Sequence, residues 1–502
     1  MSAETTSTGK QSYAHILKST ALIGGSSLIN VGFSIIRNKA LAVLLGPEGI
    51  GLMALYNSIL DIAQTLAGLG IQSSGVREIA RTAENEDRNW VSRTAIVLRR
   101  LSVILALLGA ILLAGLAAPV AQFTFGEDQH VFGTVLLALA VFFRLVCSGE
   151  TALLQGMRQI ANLARINVIS GFVSTVASIA LIYFLGADGI VVSLIVVAAA
   201  TALTTFFYSR KIRLNRPEIT ISQSRDEAVT IVKLGAVFMA SGLLTFGAAY
   251  AVRLIVLKLD GAVAAGLYQA AWALGGLYAG FVLQAMGTDF YPRLAAVADD
   301  HATCNRLVNE QTQVSLLLAG PGVIGTLTFA QLAMWLFYSP EFAPAADLLR
   351  WICLGMMLRI VAWPIGYIVL AKGAQAIFFW TEVAAAIVHV GLVWFFVTKF
   401  GAVGAGIGFF GLYVWHGLLI YFIARRLTGF RWSSINHRLG AAYFAASCLV
   451  FCLPLFLPVW QATVLGSIGA LVSGLYSLKS LTEMLPPTAF PARLRSWIWK
   501  SA

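Results

Sequence analysis

The sequence predicts an all-α polytopic membrane protein of about fourteen transmembrane helices. Three observations predict it: an apolar composition, apolar runs of span length repeated along the chain, and basic residues confined to alternate connections. Of 502 residues, 58% are hydrophobic and only 12% charged, which excludes an ordinary water-soluble globule. A helix needs roughly 20 apolar residues to cross a hydrocarbon core of about 30 Å. Runs of that length lie near 18–45, 50–76, 96–123, 131–155, 166–185, 189–208, 233–257, 264–288, 313–337, 348–370, 375–397, 402–423, 439–457 and 462–482. The stretch from Thr20 to Leu45 is too long and too charged internally for a cleaved signal peptide, so it is read as the first permanent span.

The formal charge of +12 is distributed unevenly. Lys10 and Lys18, six arginines from Arg77 to Arg100, Arg158 and Arg165, six basic residues from Arg210 to Lys233, Arg293, Arg306, Lys372, four arginines from Arg425 to Arg438, and Lys479, Arg493, Arg495 and Lys500 fall on one side. They are 27 of the 35 basic residues, and the opposite connections hold little beyond Lys258, Arg350 and Lys399. Basic loops are costly to translocate, so both termini are expected in the cytoplasm and the span count is even. The same placement suits an anionic membrane surface rather than nucleic acid. Beyond Pro486, Pro487 and Pro491, Trp497 and Trp499 among basic residues predict either a short interfacial segment or a disordered tail. The five cysteines are scattered, without metal or disulfide spacing, and are read as packing residues.

Shifting the chain by 215 residues brings Gly51-Leu52 onto Gly266-Leu267, Arg144 onto Arg359, and Gly186-Ala187-x-Gly189 onto Gly401-Ala402-x-Gly404. A shift of 216 pairs Arg37 with Arg253 and Arg77 with Arg293. The matches predict two homologous six-span halves with two further spans appended. The expected organisation is a cytoplasmic N-terminus (1–17), a first lobe (18–215), a cytoplasmic linker (216–232), a second lobe (233–426), spans thirteen and fourteen (427–483) and a cytoplasmic or interfacial tail (484–502). Six is even, so both halves share one orientation, and a transporter built this way places its site between them.

Arginine within a span costs at least about 2.5 kcal/mol at the bilayer centre, so Arg144 and Arg359, near mid-span, and Arg37 and Arg253, nearer the outer ends, should face a wet or protein interior. Helical spacing sets Ser19, Ser26, Asn30 and Arg37 on one stripe, and Asn57, Asp61, Gln64, Gly68 and Gln72 on another. Arg144, Cys147, Ser148, Thr151 and Gln155 share a face, as do Ser241, Thr245 and Arg253. The four arginines suit the oxygens of a phosphate or pyrophosphate group by charge and forked geometry. The competing reading is structural pairing, with Glu150 neutralising Arg144 and Lys39 or Arg37 reaching the outer interface. Asp61, Glu150 and Glu382, with His389 and His416, are candidates for coupling transport to a proton or Na⁺ gradient. No phosphate-cradling loop, ATP motif, metal set or catalytic constellation is legible, so a secondary transporter without a cofactor is expected rather than an enzyme.

Two stretches carry a family resemblance. Arg37, Leu44-Leu45-Gly46-Pro47-Glu48-Gly49-Ile50-Gly51-Leu52, Gly68-Leu69-Gly70 and Arg77-Glu78 resemble the opening two helices of Wzx-type polysaccharide flippases, within the multidrug/oligosaccharidyl-lipid/polysaccharide (MOP) exporter superfamily. Trp335-Leu336-Phe337-Tyr338-Ser339, Phe342, Asp347-Leu348, Trp351, Gly366-Tyr367, Leu370-Ala371-Lys372 and Glu382 resemble the ninth to eleventh helices of the lipid III and O-antigen flippases. The resemblance, over about residues 15–425, implies a V-shaped pair of lobes opening alternately to cytoplasm and periplasm in the bacterial inner membrane. The implied substrate is an oligosaccharide on undecaprenyl pyrophosphate, of O-antigen, enterobacterial-common-antigen-like or exopolysaccharide type. A glycan polymerase and a chain-length regulator are the implied partners. The appended spans depart from the twelve-span lipid III flippases and match the fourteen of the lipid II flippases, which leaves the glycan open. Competing readings are a cation-coupled drug or metabolite exporter, which would want an acidic cavity, a glycan polymerase or ligase, which would want large outer loops, and a non-transporting scaffold.

Overall fold

The computed structural model describes residues 4–84, 88–212, 214–215, 220–285 and 290–484. The expected tail at 484–502 falls, from 485 onward, outside them. Among the described residues the fold is helical without strands. In chain order the helices are α1 (Glu4–Gly68), α2 (Ile71–Glu84), α3 (Arg88–Gly115), α4 (Ala117–Phe125), α5 (Val131–Gly156), α6 (Ile160–Leu185), α7 (Gly189–Ser209), α8 (Ile221–Ala285), α9 (Tyr291–Ala296), α10 (His301–Thr328), α11 (Ala330–Phe337), α12 (Ala345–Ala371), α13 (Gln375–Phe400), α14 (Val403–Thr428), α15 (Ser434–Phe456) and α16 (Val459–Met484). Residues 221–232, expected within a linker, begin α8.

Among the described residues, ten helical stretches are long and apolar enough to cross a membrane, or eleven if α10 and α11, bent by 81°, form one span. Three of the ten, of 44, 50 and 56 residues, have twice the length of one crossing. Glycine breaks each of them. Gly46 (φ 65°) and Gly261 (φ 90°) interrupt the 65-residue helices α1 and α8 in backbone conformations that side-chain-bearing residues rarely adopt. Pro47, which follows Gly46, also withdraws an amide donor. Gly186 (φ 61°) separates α6 from α7.

These breaks make the internal repeat visible in the backbone. Gly46 and Gly261, Gly186 and Gly401, and Arg158 and Gly373 all have positive φ and are all 215 residues apart. The bounds of α6 and α13 keep the same offset. A register of 215 corrects one sequence match: Arg253 is the repeat image of Asn38, and Arg37 is that of Val252. One residue along a helix is a rotation of about 100°, so the two arginines enter different surroundings.

By compactness the chain divides into residues 1–266 with 336–341, and residues 267–335 with 342–502. In the first unit, α8 crosses α1 through glycines. A methyl group at Gly266 would lie 1.7 Å from the Pro47 carbonyl oxygen, and one at Gly51 2.6 Å from that of Ala262. Such backbone-to-backbone approach is how small residues associate helices where lipid removes the hydrophobic incentive. Ile71, Ile79, Leu98, Ala152, Leu153 and Ile231 form a buried cluster that joins α2, α3, α5 and the start of α8.

In the second unit, α12 and α14 pack along their lengths, and α10 carries the appended pair α15 and α16. Polar residues staple α10 to the end of α14 and the start of α15. Asn305 Nδ2 donates to the Thr428 carbonyl (2.9 Å) and Asn305 Oδ1 accepts from the Thr428 hydroxyl (2.7 Å). One turn on, Asn309 Oδ1 accepts from the Ser433 amide (2.8 Å) and from Asn436 Nδ2 (3.0 Å). The Ser433 hydroxyl caps α15 by accepting from the Asn436 amide (3.2 Å). Farther along, Pro454 cannot donate to the Val450 carbonyl four residues back. Arg350 Nη2 of α12 donates to that carbonyl (3.2 Å) and also to Phe451. Arg350→Ala should therefore cost about 2–3 kcal/mol, read as a lower Tm of the detergent-solubilised protein; an unchanged Tm would show that packing alone holds the pair.

Candidate functional site

Within the first unit α1, α5, α6 and α7 enclose a polar cavity of about 280 Å³, lined among others by Arg37, Asn57, Arg144, Ser174, Ser178 and Thr201. Arg144 Nη1 of α5 meets Asp61 Oδ1 of α1 at 2.8 Å, and its Nη2 donates to Asn57 Oδ1 at 3.2 Å. Asn57 and Asp61 are one turn apart, so the stripe legible in the sequence is what holds the guanidinium. Arg37 Nη1 donates to the Ser174 hydroxyl of α6 at 2.6 Å. The arrangement is two arginines, one carboxylate and several neutral hydroxyls, with Arg144 and Asp61 still 27% and 36% exposed. It can receive an anion by exchanging internal contacts for anion contacts without first stripping a bare charge of every partner.

The remaining candidates are dispersed. Gln64 Nε2 reaches the Ser148 hydroxyl at 3.4 Å, and Thr151 pairs with Cys147 Sγ at 3.6 Å. Asn30 packs at the crossing of α1 and α6, where a methyl group at Gly171 would collide with its Oδ1. Arg253 Nη1 donates to the Ser58 hydroxyl at 3.1 Å, away from the Arg37 and Arg144 cavity lining. In the second unit, Arg359 lies over Trp363 (4.8 Å) and Tyr413 (5.7 Å). It interacts electrostatically with Glu382, His389 and His416.

Glu150 does not neutralise Arg144. Arg99 of α3 grips it with two hydrogen bonds, from Nε (2.8 Å) and Nη2 (2.9 Å). Position 150 is rotated about 240° from position 144 on an ideal helix, so the two face different neighbours. Glu150 is 6% exposed, and Glu150→Gln should cost about 3 kcal/mol by leaving Arg99 without its counter-charge. The expected readout is a lower protein level in membranes with unchanged transport per molecule; loss of transport per molecule would instead give Glu150 a direct role.

Sequence reasoning missed Ser174, Ser178, Thr201 and Thr205. The last accepts from Cys147 Sγ at 3.4 Å. Their spacing of four, on adjacent helices, was the available signal, masked for Thr201 and Thr205 because their hydroxyls also bond their own helix in the ordinary way.

The fold and the site define a helical membrane protein of two repeated halves, with a half-buried arginine in each. Its sequence matches the polysaccharide biosynthesis protein family over residues 40–347, and the chain belongs to that family. Lipid III flippase of Escherichia coli strain K12 is 23% identical over 405 residues, which are 80% of this chain and 95% of that protein. A candidate O-antigen transporter of Shigella flexneri is 23% identical over 395 residues, 76% and 91% of the two chains. Among solved structures, an inward-facing multidrug resistance MATE family transporter of the MOP superfamily superposes with a TM-score of 0.69 at 17% identity, over 80% of this chain and 95% of the other. Lipid II flippase MurJ in an inward closed conformation gives 0.69 at 13% identity, over 93% and 99%. The fold is therefore that of the MOP superfamily.

Proposed function

We propose that this protein is a lipid-linked oligosaccharide flippase, moving a polyprenyl-pyrophosphate-linked glycan of O-antigen or related type from the cytoplasmic to the periplasmic leaflet of a bacterial inner membrane by alternating access. The observation that carries the reading is the Arg37 and Arg144 cavity, whose forked cations suit pyrophosphate oxygens. The lipid III flippase and O-antigen transporter relatives support the same substrate class. Counting each of the three broken stretches as two crossings, with the bent pair as one, supports fourteen spans, and an even count with the basic connections on one side favours both termini in the cytoplasm. Asp61, as counter-ion of Arg144, is the group through which an ion gradient would be coupled: an ion taken there loosens the arginine. A glycan polymerase and a chain-length regulator would act on the product.

Deletion in a host with a single such system should accumulate undecaprenyl-linked glycan on the cytoplasmic leaflet, measured by protease-independent lectin accessibility in oriented vesicles. Normal periplasmic glycan in that strain would overturn the proposal.

A further inference from the structure

The repeat register exposes a difference between the two units. Arg144 has a carboxylate, Asp61; the image of Asp61 is Gly276, and the image of Asn57 is Trp272. A Cβ at Gly276 would meet nothing within 4 Å, so the room a carboxylate would need is open. No carboxylate of a described residue stands in an ion pair with Arg359, and its Nε is buried without a hydrogen-bond partner. Among the other buried nitrogens that share that condition are two on the neighbouring helices, His389 Nε2 on α13 and His416 Nδ1 on α14. Their unit-one images, Ser174 and Thr201, both line the polar cavity. An aromatic cage holds the set together: His389 against Phe409 (5.9 Å), Phe409 against Tyr413 (5.0 Å), and Tyr413 against His416 (5.8 Å).

Three buried nitrogens without partners on three packed helices are costly unless a ligand satisfies them. Each imidazole can present an N–H at the named atom by choice of tautomer, and Arg359 Nε–H is a fixed donor. All three can therefore donate, and a fixed positive charge stands among them. We propose that Arg359, His389 and His416 hold a compact inorganic anion of chloride size in the second unit, an exogenous counter-charge that does for Arg359 what Asp61 does for Arg144. The site is independent of the substrate reading, because it concerns the stability of one unit and not what is transported. Glu382, exposed on α13 and electrostatically linked to Arg359, is the competing counter-charge.

The test is the Tm of the full chain in detergent as gluconate is replaced by chloride at constant ionic strength. The expected result for the wild type is a saturable rise of several degrees, since a ligand that binds only the folded state stabilises it by mass action. Arg359→Gln should abolish the response, and His389→Gln or His416→Gln should shift its midpoint at least tenfold to higher chloride. Gly276→Asp, which supplies the missing carboxylate, should raise the Tm in gluconate and flatten the chloride response. Bromide-soaked crystals of the wild type should give an anomalous peak beside Arg359, a readout that does not depend on any variant folding. A flat wild-type response, a response retained in Arg359→Gln, or no bromide peak at saturation would overturn the proposal in favour of Glu382 closing onto Arg359.

Discussion

Arg144→Gln should reduce flipping on the order of 100-fold, the loss expected when about 2.7 kcal/mol of charge-assisted hydrogen bonding to a phosphate group is removed, while membrane levels stay near those of the wild type. Arg144 is partly exposed into its cavity and is held by Asp61 and Asn57. Removing it leaves a carboxylate that is 36% exposed, so solvent limits the folding penalty. The double variant Arg144→Gln with Asp61→Asn separates the two contributions. It should restore any lost stability and leave transport as low as in the single variant, because neutral side chains pack the cavity without attracting an anion. Arg37→Gln, which removes the donor to Ser174, should act in the same direction. Measurement is by delivery of periplasmic glycan in a deletion strain, normalised to protein level by immunoblot. If both arginine variants transported normally, the cavity would not be the anion site, whatever the family relationship.

Much of this cavity was legible before any coordinates, because the bilayer makes polar residues informative. Asn57 and Asp61 share a helical stripe, and Arg144 is a mid-span arginine; the structure closes the three into one contact. The repeat was legible for a similar reason. Gly186 and Gly401 sit where a chain must reverse with positive φ, and such positions tolerate few substitutes. Pairing was much less legible. The partner of Glu150 comes from α3, a different helix, and only packing selects Arg99 over Arg144. Similarly, the offset of 216 for Arg37 and Arg253 looked equivalent to 215 in one dimension, yet one residue turns a side chain out of its neighbour's environment. The staple formed by Asn305 and Asn309 was not foreseen, since two asparagines one turn apart are ordinary at a helix start until the loop they bind is known.

The second large effect is expected where no charge is involved. Gly266→Ala should prevent folding of the first unit, because its methyl group would stand 1.7 Å from the Pro47 carbonyl oxygen and 2.6 Å from the carbonyl carbon. That neighbour is backbone, which cannot rotate away as a side chain can, so α1 and α8 would have to separate along their crossing. Gly51, its repeat image, meets the Ala262 carbonyl oxygen and the Gly266 amide at 2.6 and 2.7 Å, and Gly51→Ala should fail in the same way. Each loss is put at more than about 4 kcal/mol, above the roughly 1–3 kcal/mol usual for overpacking because the opposing atoms are backbone. A control on the same helix isolates the cause. A Cβ at Gly247 meets nothing within 4 Å, so Gly247→Ala should be neutral or gain up to about 1 kcal/mol from helix propensity. Size-exclusion profiles of fluorescent fusions in mild detergent would separate the outcomes: a monodisperse peak for Gly247→Ala and aggregate for Gly266→Ala. A monodisperse, transport-competent Gly266→Ala would mean that the two helices do not meet at this point in the membrane. The packing argument for the α1 and α8 crossing would then fall, while the arginine cavity, whose contacts lie on α1, α5 and α6, would stand unaffected.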